Sequence, residues 1–475
     1  MTISQNHSPE SRRRFALAAA VYLLYMFYMF SQAHFYLYQS LRGTYYSAAV
    51  PVVVAGVLYF RRFRDGTEFK LLVFYWLWFL LSRMLNHNLA LVDDQYLCFD
   101  LSLMLPMFVL GLVLDADGRR RFLDWFSAVA GGYYFLLGHL CLAAFVLRRQ
   151  FINPITEGLI GMATKSGYER INILDTNVDS TAYWFMTGVL LMLYQFFACR
   201  KKLWRIPIVL CALVNWAVIG ITYTRSVRVA LSVTAGLLAV LLCRRALKGR
   251  RKAVLALLLI LVFVITAPLI YKSFDLCTDV LSRISESVRS SAEAAQSAPA
   301  ELAYFVGEDA PVAVPLAAAS SPSLYDRLNT LSSKRLEIYR CAFLTIREDP
   351  LILLRGCLSK DSMGVTNALL QRKSPVPHFH NFLLQILILT GLPGLALALS
   401  FCVLVLRKLL RLLFAGETQI PNSVKVLALS PIASLTYGMF EACFFTDIDI
   451  RPLFFFLIGG MALGFYKDLF PKTEN

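Results

Sequence analysis

Two histidines and an asparagine stand where a polar part of the chain gives way to a long apolar run. The sequence reads His378-Phe379-His380-Asn381, and an apolar stretch of helical character follows as far as Gly391. An imidazole titrates near neutral pH, so it can take a proton from a substrate at the edge of a membrane. A histidine that only caps a helix at the interface is the alternative interpretation.

Two arginines form a candidate site for a pyrophosphate. Arg225 and Arg228 are three residues apart at the expected beginning of a helix, so they share one helix face. Two guanidinium groups and the free N–H groups of a helix N-terminus bind a pyrophosphate well. Ordinary snorkelling of arginines at a membrane interface is the alternative.

A second basic group precedes the histidines. An amphipathic helix is predicted over 332–347, where Arg335 and Tyr339 stack at positions i and i+4. A basic helix lying on the membrane can reach an anionic lipid headgroup, whereas the competing interpretation is a solvated helix face.

The elements that must position these residues are membrane helices. The chain has 475 residues, of which 57% are hydrophobic and 16% charged, and its mean hydropathy is +0.59. This composition is typical of a polytopic membrane protein. The apolar run after Arg14 has no small-residue cleavage site, so no cleavable signal peptide is expected. The ten cysteines form no C-x-x-C pair, which indicates neither a disulfide framework nor a metal site.

The fold class predicted is an all-α polytopic membrane protein with about twelve transmembrane helices. Apolar runs of spanning length define them. The predicted spans are 15–33, 45–60, 70–86, 97–114, 126–147, 182–198, 204–221, 227–243, 253–271, 380–406, 424–445 and 450–466.

The basic residues predict the orientation. With a cytoplasmic N-terminus, the cytoplasmic segments hold 26 lysines and arginines, and the short outer loops hold nine. This bias follows the positive-inside rule, so both termini, 1–14 and 467–475, are expected in the cytoplasm. Because topology accounts for most of the net charge of +16, nucleic-acid binding is not expected.

Two outer segments are long. One covers 148–181, and the other, a large extracytoplasmic loop, covers 272–379 between spans 1–9 (15–271) and spans 10–12 (380–466). Residues 290–323 of the large loop contain no lysine or arginine and are rich in alanine, serine and proline. That composition predicts a flexible insert.

Ionisable residues are nearly absent from the interior of the predicted spans, and His139 is the exception noted. A secondary transporter normally needs carboxylates near the membrane midplane and paired broken helices. A lipid or polysaccharide transporter is therefore a less favoured alternative, as is a non-catalytic assembly scaffold.

In their order along the chain, four motifs resemble the O-antigen ligase and polymerase superfamily of bacterial membrane glycosyltransferases. The match extends over roughly 165–465. The motifs are the Asn177 segment, Thr222-x-Thr224-Arg225, Arg335-Leu336-x-x-Tyr339 with Asp349-Pro350-Leu351 and Gly356, and His380-Asn381-x9-Gly391-Leu392-Pro393-Gly394. The chain departs from the family pattern in having Ser226 after the signature arginine and no second glycine after Gly356.

The resemblance implies a GT-C-like, cofactor-free enzyme of the bacterial cytoplasmic (inner) membrane, acting on its outer face. It would transfer a glycan from undecaprenyl pyrophosphate to the hydroxyl of a glycan or glycolipid acceptor. His380 would be the catalytic base, favoured over His378 by the motif spacing, and Arg225, Arg228 and Arg335 would bind the pyrophosphate. The supporting residues would be Asn381, Tyr339, His378 and Asn177.

The mechanism implied is an inverting transfer, because a base would activate the attacking hydroxyl directly. The sequence contains no Asp-x-Asp motif, so metal independence is expected. A ligase, which acts on a finished acceptor, is favoured. A polymerase of the same superfamily, which joins lipid-linked repeat units, is the alternative.

Overall fold

The computed structural model describes twelve stretches of the chain, and every structural statement below concerns these residues. They are 66–86, 104–112, 114–148, 150–152, 159–165, 168–172, 178–246, 252–296, 335–357, 378–415, 420–441 and 450–470. The predicted spans 15–33 and 45–60, the N-terminal tail, residues 471–475 of the C-terminal tail and most of the predicted insert lie outside them.

The described residues are predominantly helical. Besides a helical stretch at 104–112, the helices are α1 (Thr67–Leu85), α2 (Ala116–Val146), α3 (Val178–Ala198), α4 (Arg205–Thr222), α5 (Arg225–Ala246), α6 (Lys252–Gln296), α7 (Arg335–Glu348), α8 (Ile352–Arg355), α9 (Phe382–Phe414), α10 (Asn422–Gly438) and α11 (Ile450–Leu469).

Six helical segments in the described stretches are long and apolar enough to cross a membrane. They lie in α2, α3, Lys202–Thr222, α5, α6 and α9. The chain is thus a multi-pass membrane protein, and the total of about twelve spans stays a prediction.

A small antiparallel sheet corrects the predicted all-α fold. Strands β1 (Gln150–Ile152), β2 (Leu159–Lys165) and β3 (Tyr168–Asn172) pair in the order β1-β2-β3. The register pairs Lys165 with Tyr168, with Ser and Gly between them in the sequence, a composition typical of a short hairpin. The sheet lies in the predicted outer segment 148–181, for which the sequence predicted no strands.

Helix α6 extends well beyond the span predicted at 253–271. It is one helix of 45 residues that ends at Gln296, so the predicted insert 290–323 begins as helix. Helix α6 packs on α4 and α5, and little of its spanning stretch is buried in the described structure.

The core surrounds α3, which packs against α2, α4 and α10. Tyr183 and Trp184 at the centre of α3 are fully buried, as are aromatic residues of α11 such as Phe456. Helix α9 packs against α1 on one side and against α10 and α11 on the other. The N-terminus of α9, which carries the histidines, is therefore held among several helices.

A second, smaller apolar cluster supports α7. Ile338 and Ala342 of α7 are buried against Ile352, Phe379 and Ile388. The amphipathic helix predicted at 332–347 thus begins, within the described residues, at Arg335 and packs on protein along its apolar face. This packing brings Arg335 and Tyr339 next to the N-terminus of α9.

Candidate active site

The Thr222-x-Thr224-Arg225 motif forms the corner between α4 and α5. Tyr223 adopts a left-handed conformation with φ of 54°, which ends α4 and redirects the chain. Thr222 and Thr224 are buried, whereas Arg225 is exposed as the first residue of α5. An exposed guanidinium at a helix N-terminus is well placed for an anion.

Arg228 occupies a different environment from Arg225. It is buried, its Nη1 lies 2.6 Å from Asp275 Oδ1 of α6, and its Nη2 donates to the Gly220 carbonyl at 2.7 Å. Its guanidinium also lies over the rings of Tyr223 and Phe274. These contacts tie α5 to α4 and α6, a structural role that the spacing of the two arginines did not reveal.

The backbone presents His380 in an uncommon conformation. His380 has φ of 52°, in the left-handed region, where a side chain other than glycine is strained. Asn381 follows as the N-cap of α9, its Oδ1 accepting from the Leu384 N–H at 3.0 Å. Its Nδ2 donates to the Met439 carbonyl at 3.0 Å. Asn381 therefore fixes the beginning of α9 and joins it to the end of α10.

One carboxylate joins the candidate base to a candidate phosphate ligand. Glu441 Oε2 lies 3.1 Å from His380 Nδ1, and Glu441 Oε1 accepts from Arg335 Nη2 at 2.9 Å. The Glu441 side chain is only 2% exposed, but those of His380 and Arg335 are about one quarter exposed. Glu441 lies shortly after the end of α10 at Gly438. Burial alone would raise the pKa of the Glu441 carboxyl, but His380, Arg335 and His378 outweigh that effect, so the pKa is lowered overall. The carboxylate is therefore ionised at neutral pH.

His378 is a neutral neighbour of this group. Burial, assisted by His380, lowers its pKa to about 3, although Glu441 acts in the opposite direction. Its Nδ1 accepts from the His380 N–H at 3.2 Å, and its ring lies 4.2 Å from that of His380. A neutral imidazole whose Nδ1 is an acceptor carries its proton on Nε2, which lies 4.0 Å from Glu441 Oε2.

Tyr339 fixes the backbone of the same turn. Its hydroxyl donates to the His380 carbonyl at 3.2 Å, and burial is the largest effect raising its pKa. The hydroxyl is therefore protonated at neutral pH and available as a donor. Tyr339 and Arg335, one turn apart on α7, contact the backbone of His380 and the carboxylate of Glu441 respectively.

Asp179 connects this group to the corner between α4 and α5. Its carboxyl, on the first turn of α3, interacts electrostatically with Glu441, His380 and Arg335. It also lies near the buried Thr224 hydroxyl. The structure thus brings three of the four motifs to one end of the bundle. Asn177, in the remaining motif, lies outside the described residues.

His378, His380 and Glu441 are also close enough to be considered as metal ligands, since their ligand atoms lie within 4.8 Å of one another. Their contacts favour a hydrogen-bonded group instead. Both Glu441 oxygens are engaged, one of them by the cationic Arg335, and the Nε2 of His378 carries a proton in the arrangement described above. A metal ligand must present a free lone pair.

Sequence reasoning missed Glu441 and Asp179. Glu441 lies near the end of the predicted span 424–445 and was not among the ionisable residues noted there. A carboxylate within an apolar run was the signal that could have found it. His139, the ionisable residue that was noted, is exposed, and its Nδ1 lies 2.8 Å from the Phe135 carbonyl of its own helix.

The fold and the site define a multi-pass helical membrane protein with a His-Glu-Arg group at the end of its helix bundle. Residues 208–399 match the family model described as O-antigen ligase, so this part of the chain is similar to the O-antigen ligase superfamily. The match confirms the resemblance stated from the motifs and supports a glycosyltransferase-like membrane enzyme. No curated protein and no solved structure matches the chain.

Proposed function

We propose that the protein transfers a glycan from undecaprenyl pyrophosphate to a sugar hydroxyl on the outer face of the bacterial cytoplasmic membrane. The observation that carries this proposal is the shared carboxylate of Glu441, which holds the imidazole of His380 and the guanidinium of Arg335 side by side. A base and a phosphate ligand are the two groups that such a transfer requires. The family match over 208–399 supports the same chemistry.

His380 acts as the base in this proposal. With its Nδ1–H donated to Glu441, the imidazole keeps a lone pair on Nε2 for the proton of the acceptor hydroxyl. Glu441 then stabilises the imidazolium, as an orienting carboxylate does in other nucleophile-activating sites. The activated oxygen attacks the anomeric carbon, the bond to the pyrophosphate oxygen breaks, and the configuration inverts.

Arginines stabilise the departing pyrophosphate. Arg335 uses Nη2 for Glu441 and retains other N–H donors, and Arg225 is exposed at the N-terminus of α5. Positive charge held where negative charge develops lowers the barrier without a metal. We propose that Arg228 assists indirectly by holding α5, because Asp275 and Gly220 engage its guanidinium.

The proposal is tested with purified protein, a lipid-linked glycan donor and a sugar acceptor. His380→Gln should lower the rate by a factor of about 100 to 10,000, because general base catalysis is lost. His139→Gln is the matched control, since that imidazole bonds the Phe135 carbonyl of its own helix turn. EDTA should leave the wild-type rate unchanged. Full activity in His380→Gln, or loss of activity with EDTA, would contradict the mechanism.

A ligase and a polymerase fit the family equally well, and they differ in the acceptor. Deleting the gene in its host separates them through the length of the glycan left on the polyprenyl carrier. Long polymers stranded on the lipid would identify a ligase, which is the proposal. Single repeat units would identify a polymerase, and an unchanged pool of lipid-linked glycans would contradict both.

A further inference from the structure

Helix α9 is interrupted ten residues after its N-cap. Gly391 has φ of 70° and ψ of −173°, which is not helical, and Pro393 follows two residues later. A regular helix would pair the Leu389 carbonyl with the N–H of residue 393, but proline has none. The break therefore separates a short segment, Phe382–Thr390, which carries His380 and Asn381 at its beginning, from the rest of the helix.

Three consecutive carbonyls at this break accept hydrogen bonds from other parts of the chain. Ile388 accepts from the Cys357 N–H at 2.8 Å, and Thr390 accepts from the indole N–H of Trp78 at 2.7 Å. The Leu389 carbonyl between them accepts from Arg83 Nη2, which replaces the donor that Pro393 lacks.

Helix α1 supplies most of these donors. Besides Leu389, Arg83 also bonds the Cys357 carbonyl at 3.0 Å, and Ser82 bonds the Arg355 and Leu389 carbonyls. Arg83 is completely buried, with its guanidinium over the ring of Phe79. A buried arginine near the end of a predicted membrane span such as 70–86 is costly unless its contacts serve the fold or the function.

We propose that Arg83, with Trp78 and Ser82, is a positioning residue for the active site. It joins the turn at Gly356 to the break at Gly391 and so sets the orientation of the segment that presents His380. Arg83 lies outside the matched family residues 208–399, so this role belongs to the N-terminal part of the chain. The predicted effect of Arg83 on catalysis rests on the proposed function, whereas its predicted effect on the hydrogen bonds at the Gly391 break does not.

The test compares Arg83→Gln and Arg83→Lys with Arg119→Lys. Arg119 is a matched control because it is equally buried and donates to the Gly111 and Leu114 carbonyls. Arg119 pairs with Asp468 at the end of the bundle away from His380. The C-terminal part of α9 lies at that same end, where its Lys408 pairs with Glu68.

Hydrogen exchange is the first readout, and it needs no substrate. Arg83→Gln should speed amide exchange about tenfold in the peptides that cover 352–357 and 382–390, because their shared hydrogen bonds weaken. Arg119→Lys should leave these peptides unchanged. Equal protection in Arg83→Gln and the wild type would overturn the proposal even if the protein proves to have another activity.

Kinetics give the second readout. Arg83→Gln should lower kcat by about 10- to 100-fold, with little change in the KM for the donor, because a displaced base loses alignment. Added guanidinium ion should restore part of kcat.

If Arg83→Gln does not fold, Trp78→Phe is the second variant. It removes the indole N–H and keeps an aromatic ring, and it should give a smaller fall in kcat. An unchanged kcat in Trp78→Phe and Arg83→Lys, or an equal fall in Arg119→Lys, would overturn the positioning role.

Discussion

At the scale of single residues, Glu441 determines what the neighbouring side chains can do. It is buried, ionised, and bonded to His380 through one oxygen and to Arg335 through the other. The sequence suggested His380 and Arg335 through their motifs, but it could not suggest this pairing. Glu441 is distant from both in the sequence, so only the fold brings the three together. The catalytic roles of these residues stay predictions.

His378 should make the stability of the protein depend on pH. Because the pKa of His378 is about 3 in the folded protein, against an ordinary value of 6.5, the unfolded chain binds its proton first as the pH falls. His378 therefore lowers stability progressively from about pH 6.5 towards pH 3. The charged or titratable groups acting on it are His380, Glu441, Arg451 and Arg335.

The melting temperature in detergent measures this effect. Between pH 7 and pH 5, His378→Gln should lose less thermal stability than the wild type, since glutamine does not titrate. An identical loss in both proteins would show that His378 is not held neutral in the folded state.

Substitutions of Arg225 and Arg228 should have different effects, because Arg225 is proposed to bind the donor and Arg228 to stabilise the fold. Lysine cannot reproduce the bidentate contacts of arginine with phosphate, so Arg225→Lys should weaken donor binding and lower the melting temperature less than Arg228→Lys does. Arg228→Lys should lower the melting temperature, because a lysine cannot bond the Asp275 carboxylate and the Gly220 carbonyl at the same time as the two Nη atoms of Arg228 do. Titration of each variant with a lipid-linked pyrophosphate distinguishes them, and the reverse pattern would refute this assignment.

At the scale of elements, the family spacing His380-Asn381-x9-Gly391 has a physical meaning that the sequence alone did not supply. Asn381 begins α9 and Gly391 breaks it, and a side chain at Gly391 would lie 2.7 Å from the Leu354 carbonyl. Gly356 faces the same break from the other side, also with a positive φ. The two ends of the motif are therefore the two ends of a short helical segment, and Gly391 is also the point where this segment contacts the turn at Gly356. Hydropathy reveals the apolar run but not this break.

Gly391→Ala should therefore destabilise the protein. The left-handed conformation costs a non-glycine residue about 1–3 kcal/mol, and the close carbonyl adds to that cost. Gly132→Ala is the matched control: this glycine lies inside α2, and an added Cβ would meet nothing within 4 Å. Alanine suits a helix interior better than glycine. Thermal unfolding in detergent should show a loss only in Gly391→Ala, and equal stability of the two variants would contradict the explanation.

At the scale of the whole molecule, the composition predicted a helical multi-pass membrane protein, and the described residues agree with it. Hydropathy did not predict the sheet at 150–172 or the continuation of α6 to Gln296, because neither depends on apolar length. The proposed chemistry also requires the end of the bundle that carries His380 to face away from the cytoplasm. The distribution of basic residues predicts this orientation.

Reporter fusions test the orientation. Green fluorescent protein fused after Asn475 should fluoresce, because the C-terminus is predicted to be cytoplasmic. Alkaline phosphatase fused within 358–377 should be active, since that segment directly precedes the histidines and is predicted to be outside. An inactive phosphatase at this position, with its activity recovered at the C-terminus, would invert the topology and exclude transfer on the outer face.

The most direct test of the central claim is the release of undecaprenyl pyrophosphate from a lipid-linked glycan by purified Glu441→Gln, compared with the wild type. Glutamine keeps the size of the side chain but removes the charge that orients His380 and holds Arg335. We predict a kcat lowered by about 100-fold or more, as when an orienting carboxylate is neutralised, together with a lower melting temperature, because Arg335 loses its buried counterion. Wild-type kcat in a folded Glu441→Gln protein would contradict the proposed active site.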